Sequence, residues 1–186
     1  HKCYLVGKRM KRYTAFIEPD SVYQRNGIEN IDDLKEYAKS VYDALYPQDA
    51  GKYDDDFTNR KNPLNRFVSY HLLPYGGGYD DWTVNDANNI TLKSTCAMTD
   101  KIDCTDWYTT LMPGSIMKMS TPSLGLFINR KGVNRRATVE GIKVYSPSEM
   151  GDSIDQQALN GIYHYINNIL VYDQTSPVFN DRIRIN

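Results

Sequence analysis

Two histidines and one run of acidic residues are the side chains of this chain best suited to chemistry. His71 and His164 could act as bases, and the carboxylates of Asp54 to Asp56 could attract a hard cation. Neither histidine is accompanied by a Gly-x-Ser-x-Gly nucleophile motif, and the acidic run lacks the Asp-x-Asp-x-Asp-Gly spacing of a calcium loop. The sequence therefore predicts a noncatalytic protein with no metal and no cofactor. A hydrolase stays as an alternative, because two carboxylates could still face each other across a cleft.

Both histidines lie among apolar residues, on the faces of their elements that are predicted to point inward. A histidine in such a place is usually a core residue whose ring is satisfied by a backbone carbonyl. We therefore interpret His71 and His164 as core residues. We expect the pair Tyr70 and His71 chiefly to hold its helix against a sheet.

Exposed aromatic residues are the better lead to a ligand. Residues 79–113 are mostly polar, and we interpret them as an insertion, with a hairpin around two cysteines. Within this segment Trp82, Trp107 and Tyr108 could stack on sugar rings or anchor a protein partner. The alternative is that these rings form a small satellite core under a long loop.

The charge balance of the chain argues against one class of protein. The chain has 186 residues, of which 40% are hydrophobic, and a formal net charge of -1, which argues against a dedicated nucleic-acid binder.

The three cysteines, Cys3, Cys96 and Cys104, cannot all pair with one another. Cys96 and Cys104 could close a short loop in an oxidising compartment, or all three could be free thiols.

The ends of the sequence resemble interrupted strands. Residues 1–6 and 182–186 alternate in polarity, no export leader precedes them, and no run approaches the roughly 20 apolar residues that span a bilayer. We expect a fragment of a longer protein, whose export signal, membrane or lipid anchor and sister domains lie outside it. Residues 173–186 would then begin a following segment.

Helix signals dominate the first part of the chain. Asp20 is predicted to cap a short helix that ends at Gly27, and Asn30 to open a longer helix that ends before Pro47. Asn62 and the proline after it supply a cap and a first-turn residue for a third helix. Residues 48–61 between them are predicted to be a surface loop.

Strand signals flank these helices. Residues 13–17, 115–119, 124–129 and 137–145 have strand patterns, and 160–166 read as a turn followed by an alternating strand. A kink and a second, more buried strand are predicted after residue 166. Helices and strands that are largely segregated along the chain indicate the α+β class.

Three segments also resemble the fasciclin domain family. The segment from Asn160 to Tyr172 is similar to the family's closing motif, with Asn167 where the family usually has Asp. Residues 13–23 are similar to the opening motif and residues 64–74 to the central helix that ends in Tyr-His. The matching motif positions are Pro19, Asp20, Tyr23, Tyr70, His71, Asn160, Gly161 and His164.

The resemblance implies a β-rich wedge of two sheets with helices packed alongside, as one domain over residues 1–186 with a matched core at 13–172. It also implies an extracellular or cell-surface adhesion module of a multidomain protein, whose partners are surface or matrix proteins or glycans. In that family the Tyr-His motif has been tied to receptor binding, which makes Tyr70 and His71 tentative ligand-binding residues. A surface glycan-binding component is the alternative within the binding class.

Overall fold

The computed structural model describes residues 13–74, 104–121, 126–129, 141–145, 149, 157–158 and 161–172. Three helices and eight strands occupy this part of the chain, so the predicted α+β class is confirmed. In chain order they are β1 (Tyr13–Ile17), α1 (Asp20–Arg25), α2 (Ile31–Leu45), α3 (Pro63–Tyr70), β2 (Leu72–Leu73), β3 (Cys104–Thr109), β4 (Ile116–Thr121), β5 (Leu126–Ile128), β6 (Ile142–Val144), β7 (Gln157–Ala158) and β8 (Gly161–Tyr165).

The first sheet joins the two ends of the described chain. Its strand order is β2-β1-β8-β7, and β8 runs parallel to β1 with Phe16 opposite His164. Along β8 the predicted alternation is confirmed, because His164 and Ile166 are buried whereas Tyr163 and Tyr165 are partly exposed. A parallel pair of distant segments requires a long crossover, and here the crossover includes the second sheet.

The second strand predicted after residue 166 is wrong. Residues 167–168 form a bend and 169–172 have no regular structure, although Ile169 and Leu170 are buried as predicted. The backbone N–H of Leu170 donates to a carboxylate, Glu18, and not to a neighbouring strand. A side-chain acceptor has therefore replaced the strand ladder that the apolar run suggested.

The second sheet is antiparallel, with the order β3-β4-β5-β6. Its strand β3, Cys104–Thr109, lies within the predicted insertion at 79–113. Tyr108 faces Met117 across the ladder and is only 6% exposed, so its interpretation as an exposed aromatic is wrong. Residues 79–103 of the predicted insertion lie outside the described residues.

The helix starts follow local hydrogen-bonding rules at two of three positions. Asn30 and Asp33 form a reciprocal capping box at α2, and the side chain of Asn62 accepts from the N–H of Asn65 at the start of α3, as predicted. The predicted cap at Asp20 is wrong. Pro19 holds the cap position of α1, and Asp20 is the first helical residue.

One hydrophobic cluster connects both sheets to all three helices. Among its fully buried members are Tyr42 of α2, Tyr70 of α3, Met119 of β4 and Leu170. The described elements therefore share one core, as expected for a single domain. None of the described helices combines the length and the apolar character needed to cross a membrane.

Candidate functional site

A buried cluster of polar groups lies where the three motif segments meet. The carboxylate of Glu18 follows β1, Tyr23 lies on α1, His71 ends α3, and Leu170 follows β8. Glu18 Oε1 accepts from the backbone N–H of Leu170 at 2.9 Å and lies 2.8 Å from His71 Nε2, and Glu18 Oε2 accepts from the Tyr23 hydroxyl at 3.0 Å. Glu18 is 4% exposed and His71 is 6% exposed.

The contacts of His71 engage both nitrogens of its ring. Its Nδ1 lies 2.7 Å from the carbonyl oxygen of Phe67, and its Nε2 faces Glu18. The carbonyl of Phe67 only accepts, so Nδ1 donates to it, and Nε2 donates to Glu18 when that carboxyl is ionised. The buried position and the bond to a backbone carbonyl confirm the prediction that His71 is a satisfied core histidine.

The electrostatics of the cluster favour an ionised Glu18. Burial alone would raise the pKa of the Glu18 carboxyl, but the charge and hydrogen bond of His71 and the N–H of Leu170 hold that pKa below its ordinary value. Burial, and after it the charge of Glu18, raise the pKa of the Tyr23 phenol. Tyr23 therefore stays protonated and continues to donate to Glu18.

The other half of the Tyr-His pair connects α3 to the second sheet. Tyr70 is fully buried, and its hydroxyl donates to the carbonyl of Ile116 at 3.4 Å and accepts from the side-chain amide of Asn129 at 2.8 Å. The ring packs edge-on against Tyr172 at 5.3 Å. Because Tyr70 and His71 are both buried, neither side chain is accessible to a macromolecular partner.

The remaining described site residues that were predicted from the sequence lie apart from this cluster. His164 is buried at 1% exposure, and its ring lies 6.2 Å from that of Phe16. Trp107 lies on β3 opposite Lys118, and Gly161 begins β8. Trp82, Asn160 and Cys96 lie outside the described residues. No trio of His, Cys, Asp or Glu in the described part of the chain is arranged to hold a metal ion.

The acidic run belongs to a tightly bonded loop between α2 and α3. Asp54 forms an ion pair with Lys39 of α2, and Asp56 accepts from the hydroxyl and the N–H of Thr58. Nearby, buried Asp49 accepts from Arg66 at 2.6 Å, and the Arg66 guanidinium stacks on Tyr46 at 3.9 Å. The ion pairs of Asp54 and Asp49 therefore connect the loop to α2 and to α3.

The same loop forms a surface cavity that sequence reasoning missed. Its volume is about 250 Å³, and it is lined by Lys35, Glu36, Lys39, Asp54, Asp55, Phe57, Asn62, Pro63 and Leu64. Phe57 is 49% exposed although it is a large apolar residue. A phenylalanine between an acidic run and a threonine in a polar loop was the signal that could have revealed it.

Comparisons of this chain with models of known protein families, with curated proteins and with solved structures found no match in any of the three.

Proposed function

We propose that this chain is a noncatalytic binding module of the fasciclin type, which acts in adhesion at a cell surface as one part of a longer protein. One observation carries the proposal. The three segments that resemble the family motifs are far apart in sequence, yet their residues Glu18, Tyr23, His71 and Leu170 form one hydrogen-bonded cluster. Convergence of this kind is expected if the three motifs belong to one fold.

The contacts of His71 disfavour the hydrolase alternative at this cluster. A histidine paired with a carboxylate resembles the base and its orienting acid in a catalytic triad. A general base, however, needs one nitrogen within reach of a nucleophile or a water. Both nitrogens of His71 are engaged inside the protein, by Phe67 and by Glu18, and the ring is buried. These contacts favour a structural role for the pair.

The surface beside the Tyr-His pair is a better contact surface than the pair itself. Val68 of α3 is 49% exposed, and Leu111, in the turn after β3, is 38% exposed. Backbone hydrogen bonds from Leu111 to Leu72 and from Met112 to Ser69 hold this turn against the end of α3. Exposed apolar side chains on rigid elements are typical of protein contact sites. In this proposal the buried pair positions the surface that the partner touches.

A cell-adhesion assay on surfaces coated with the purified protein, run beside a panel of matrix proteins and glycans, tests this function. The double variant Val68→Asp, Leu111→Asp is expected to lose most of the adhesion while it keeps the wild-type circular dichroism. Ile31→Asp is the matched control, because Ile31 is 57% exposed and lies on α2. Absence of adhesion and of panel binding by the wild type would overturn the proposal.

A further inference from the structure

We propose that the cavity between α2 and α3 binds the terminal pyranose ring of a neutral glycan, with the ring stacked on Phe57. This inference rests on the proposed binding function and names the ligand class of a second surface of the same module. The cavity is lined by α2, by the loop that contains the acidic run and by the first residues of α3. It therefore combines side chains from three segments around one exposed aromatic ring.

The exposed ring of Phe57 is attached to a preorganised loop. Asn62 is 1% exposed, and its side-chain amide donates to the carbonyls of Tyr53 and Asp54 at 2.8 and 2.9 Å. The side-chain amide of Asn65 donates to the carbonyl of Phe57 itself at 2.9 Å. A loop backbone that is held in place before binding loses little conformational entropy on contact with a ligand. About half of Phe57 stays exposed, and the ammonium group of Lys35 lies 5.6 Å from the centre of its ring.

The polar lining suits hydroxyl groups better than ions. Lys35 and Lys39 are donors, whereas Glu36, Asp54 and Asp55 are acceptors, so two positive charges stand against three negative ones. Two of these groups, Lys39 and Asp54, pair with each other, and Lys35 also pairs with Asp32. Such a near balance gives no net attraction for phosphate or sulfate. A sugar hydroxyl both donates and accepts hydrogen bonds, and it can bridge an ammonium group and a carboxylate. This lining therefore favours a neutral polyhydroxylated ligand.

The aromatic ring and the cavity size narrow the ligand to one cyclic sugar. The C–H face of a pyranose is apolar and packs on an aromatic face, whereas an acyclic polyol has no such face. A volume of about 250 Å³ is below the range of pockets for drug-sized ligands, which begins near ~300 Å³. The cavity can therefore hold one ring, with the rest of a glycan lying outside it.

Saturation-transfer NMR and titration of the whole chain with the methyl glycosides of glucose, galactose, mannose and N-acetylglucosamine, with mannitol as the acyclic control, test the site. At least one glycoside is expected to bind with a millimolar Kd. Phe57→Ala should weaken that binding about tenfold, and Phe57→Tyr should keep it within about threefold, because the tyrosine retains the aromatic face. Ile31→Ala, the control on α2, should leave binding unchanged.

Three outcomes overturn the site: no glycoside binds to the wild type, mannitol binds as tightly as the glycosides, or Phe57→Ala binds like the wild type. The adhesion assay separates this failure from failure of the proposed function. Adhesion that depends on Val68 and Leu111 in a protein that binds no glycoside removes only the cavity site. Glycoside binding that depends on Phe57 in a protein without adhesion removes the proposed adhesion and keeps the site.

Discussion

At the scale of single residues, Glu18 has the largest predicted effect on stability. It accepts hydrogen bonds from His71, Tyr23 and Leu170, which belong to three different segments. Glu18→Gln keeps the shape of the side chain but removes the buried negative charge that faces His71. Removal of one partner of a buried ion pair typically costs about 3 kcal/mol. We expect a loss of that size in the free energy of unfolding, measured by urea denaturation at neutral pH.

Glu29→Gln is the matched control for this variant, because the Glu29 side chain is exposed at the surface. Its effect should stay within about 0.5 kcal/mol, as is usual for surface substitutions. If Glu18→Gln were as stable as the wild type, the charge of Glu18 would add nothing to the stability of the fold.

The lowered pKa of Glu18 predicts the direction of its pH effect. A carboxyl whose pKa is lower in the folded than in the unfolded state, where it is near 4.5, stabilises the fold above that pH. This contribution is lost as the pH falls through the folded-state pKa. The hydrogen bond from Arg66 lowers the pKa of Asp49, so Asp49 also adds to the acid sensitivity of the fold. The share of Glu18 must therefore be measured as the difference between the wild type and Glu18→Gln.

Denaturation of the wild type and of Glu18→Gln across the acidic range isolates the share that belongs to Glu18. The difference in unfolding free energy between the two proteins should be largest near neutral pH. It should shrink on acidification, because a protonated Glu18 is neutral like glutamine. A difference that stays constant from neutral to acidic pH would show that Glu18 carries no charge in the fold.

At the scale of elements, Asn62 links the start of α3 to the loop that forms the cavity. Its side chain caps the helix by accepting from the N–H of Asn65, and its amide donates to Tyr53 and Asp54. Asn62→Ala removes the cap and leaves two loop carbonyls without these donors. The expected loss of stability is about 2 kcal/mol or more, with faster amide exchange in residues 53–58.

Asn30→Ala is the control for this substitution, since Asn30 caps α2 at an exposed position. It should cost only about 1 kcal/mol and should leave exchange in the loop unchanged. Equal losses for the two variants would mean that the loop contacts of Asn62 add nothing to its capping role.

The elements that were predicted correctly are those whose signals are local. The capping box of Asn30 and the Asn62 and Pro63 start of α3 depend on residues within one helical turn. Strand β3 was missed because its polar residues become a strand through pairing with β4, which local patterning does not reveal. For the same reason the apolar run after Ile166 was wrongly predicted to be a strand. The N–H of its Leu170 donates to the carboxylate of Glu18 and not to a strand.

At the scale of the whole molecule, the candidate cluster illustrates the same limit. The sequence identified Tyr23 and His71 as separate motif residues and His71 as a core histidine. It did not pair Glu18 with His71, which lies 53 positions later, or with the N–H of Leu170, which the parallel pairing of β1 and β8 brings near. Long-range sheet pairing created this cluster, so periodicity within any one segment could not predict it.

That long-range pairing makes the last described strand essential to the whole fold. Strand β8 lies between β1 and β7 in its sheet, and the residues after it add Leu170 to the shared core and an N–H to Glu18. A chain that ends at residue 160 is therefore expected to lose its cooperative thermal transition in circular dichroism, because the core and the buried carboxylate are both opened to water. The 186-residue chain with residues 161–172 shuffled is the control for length and composition, and it should behave like the truncated chain. A cooperative transition retained by either protein would show that the helices and the second sheet fold without β8.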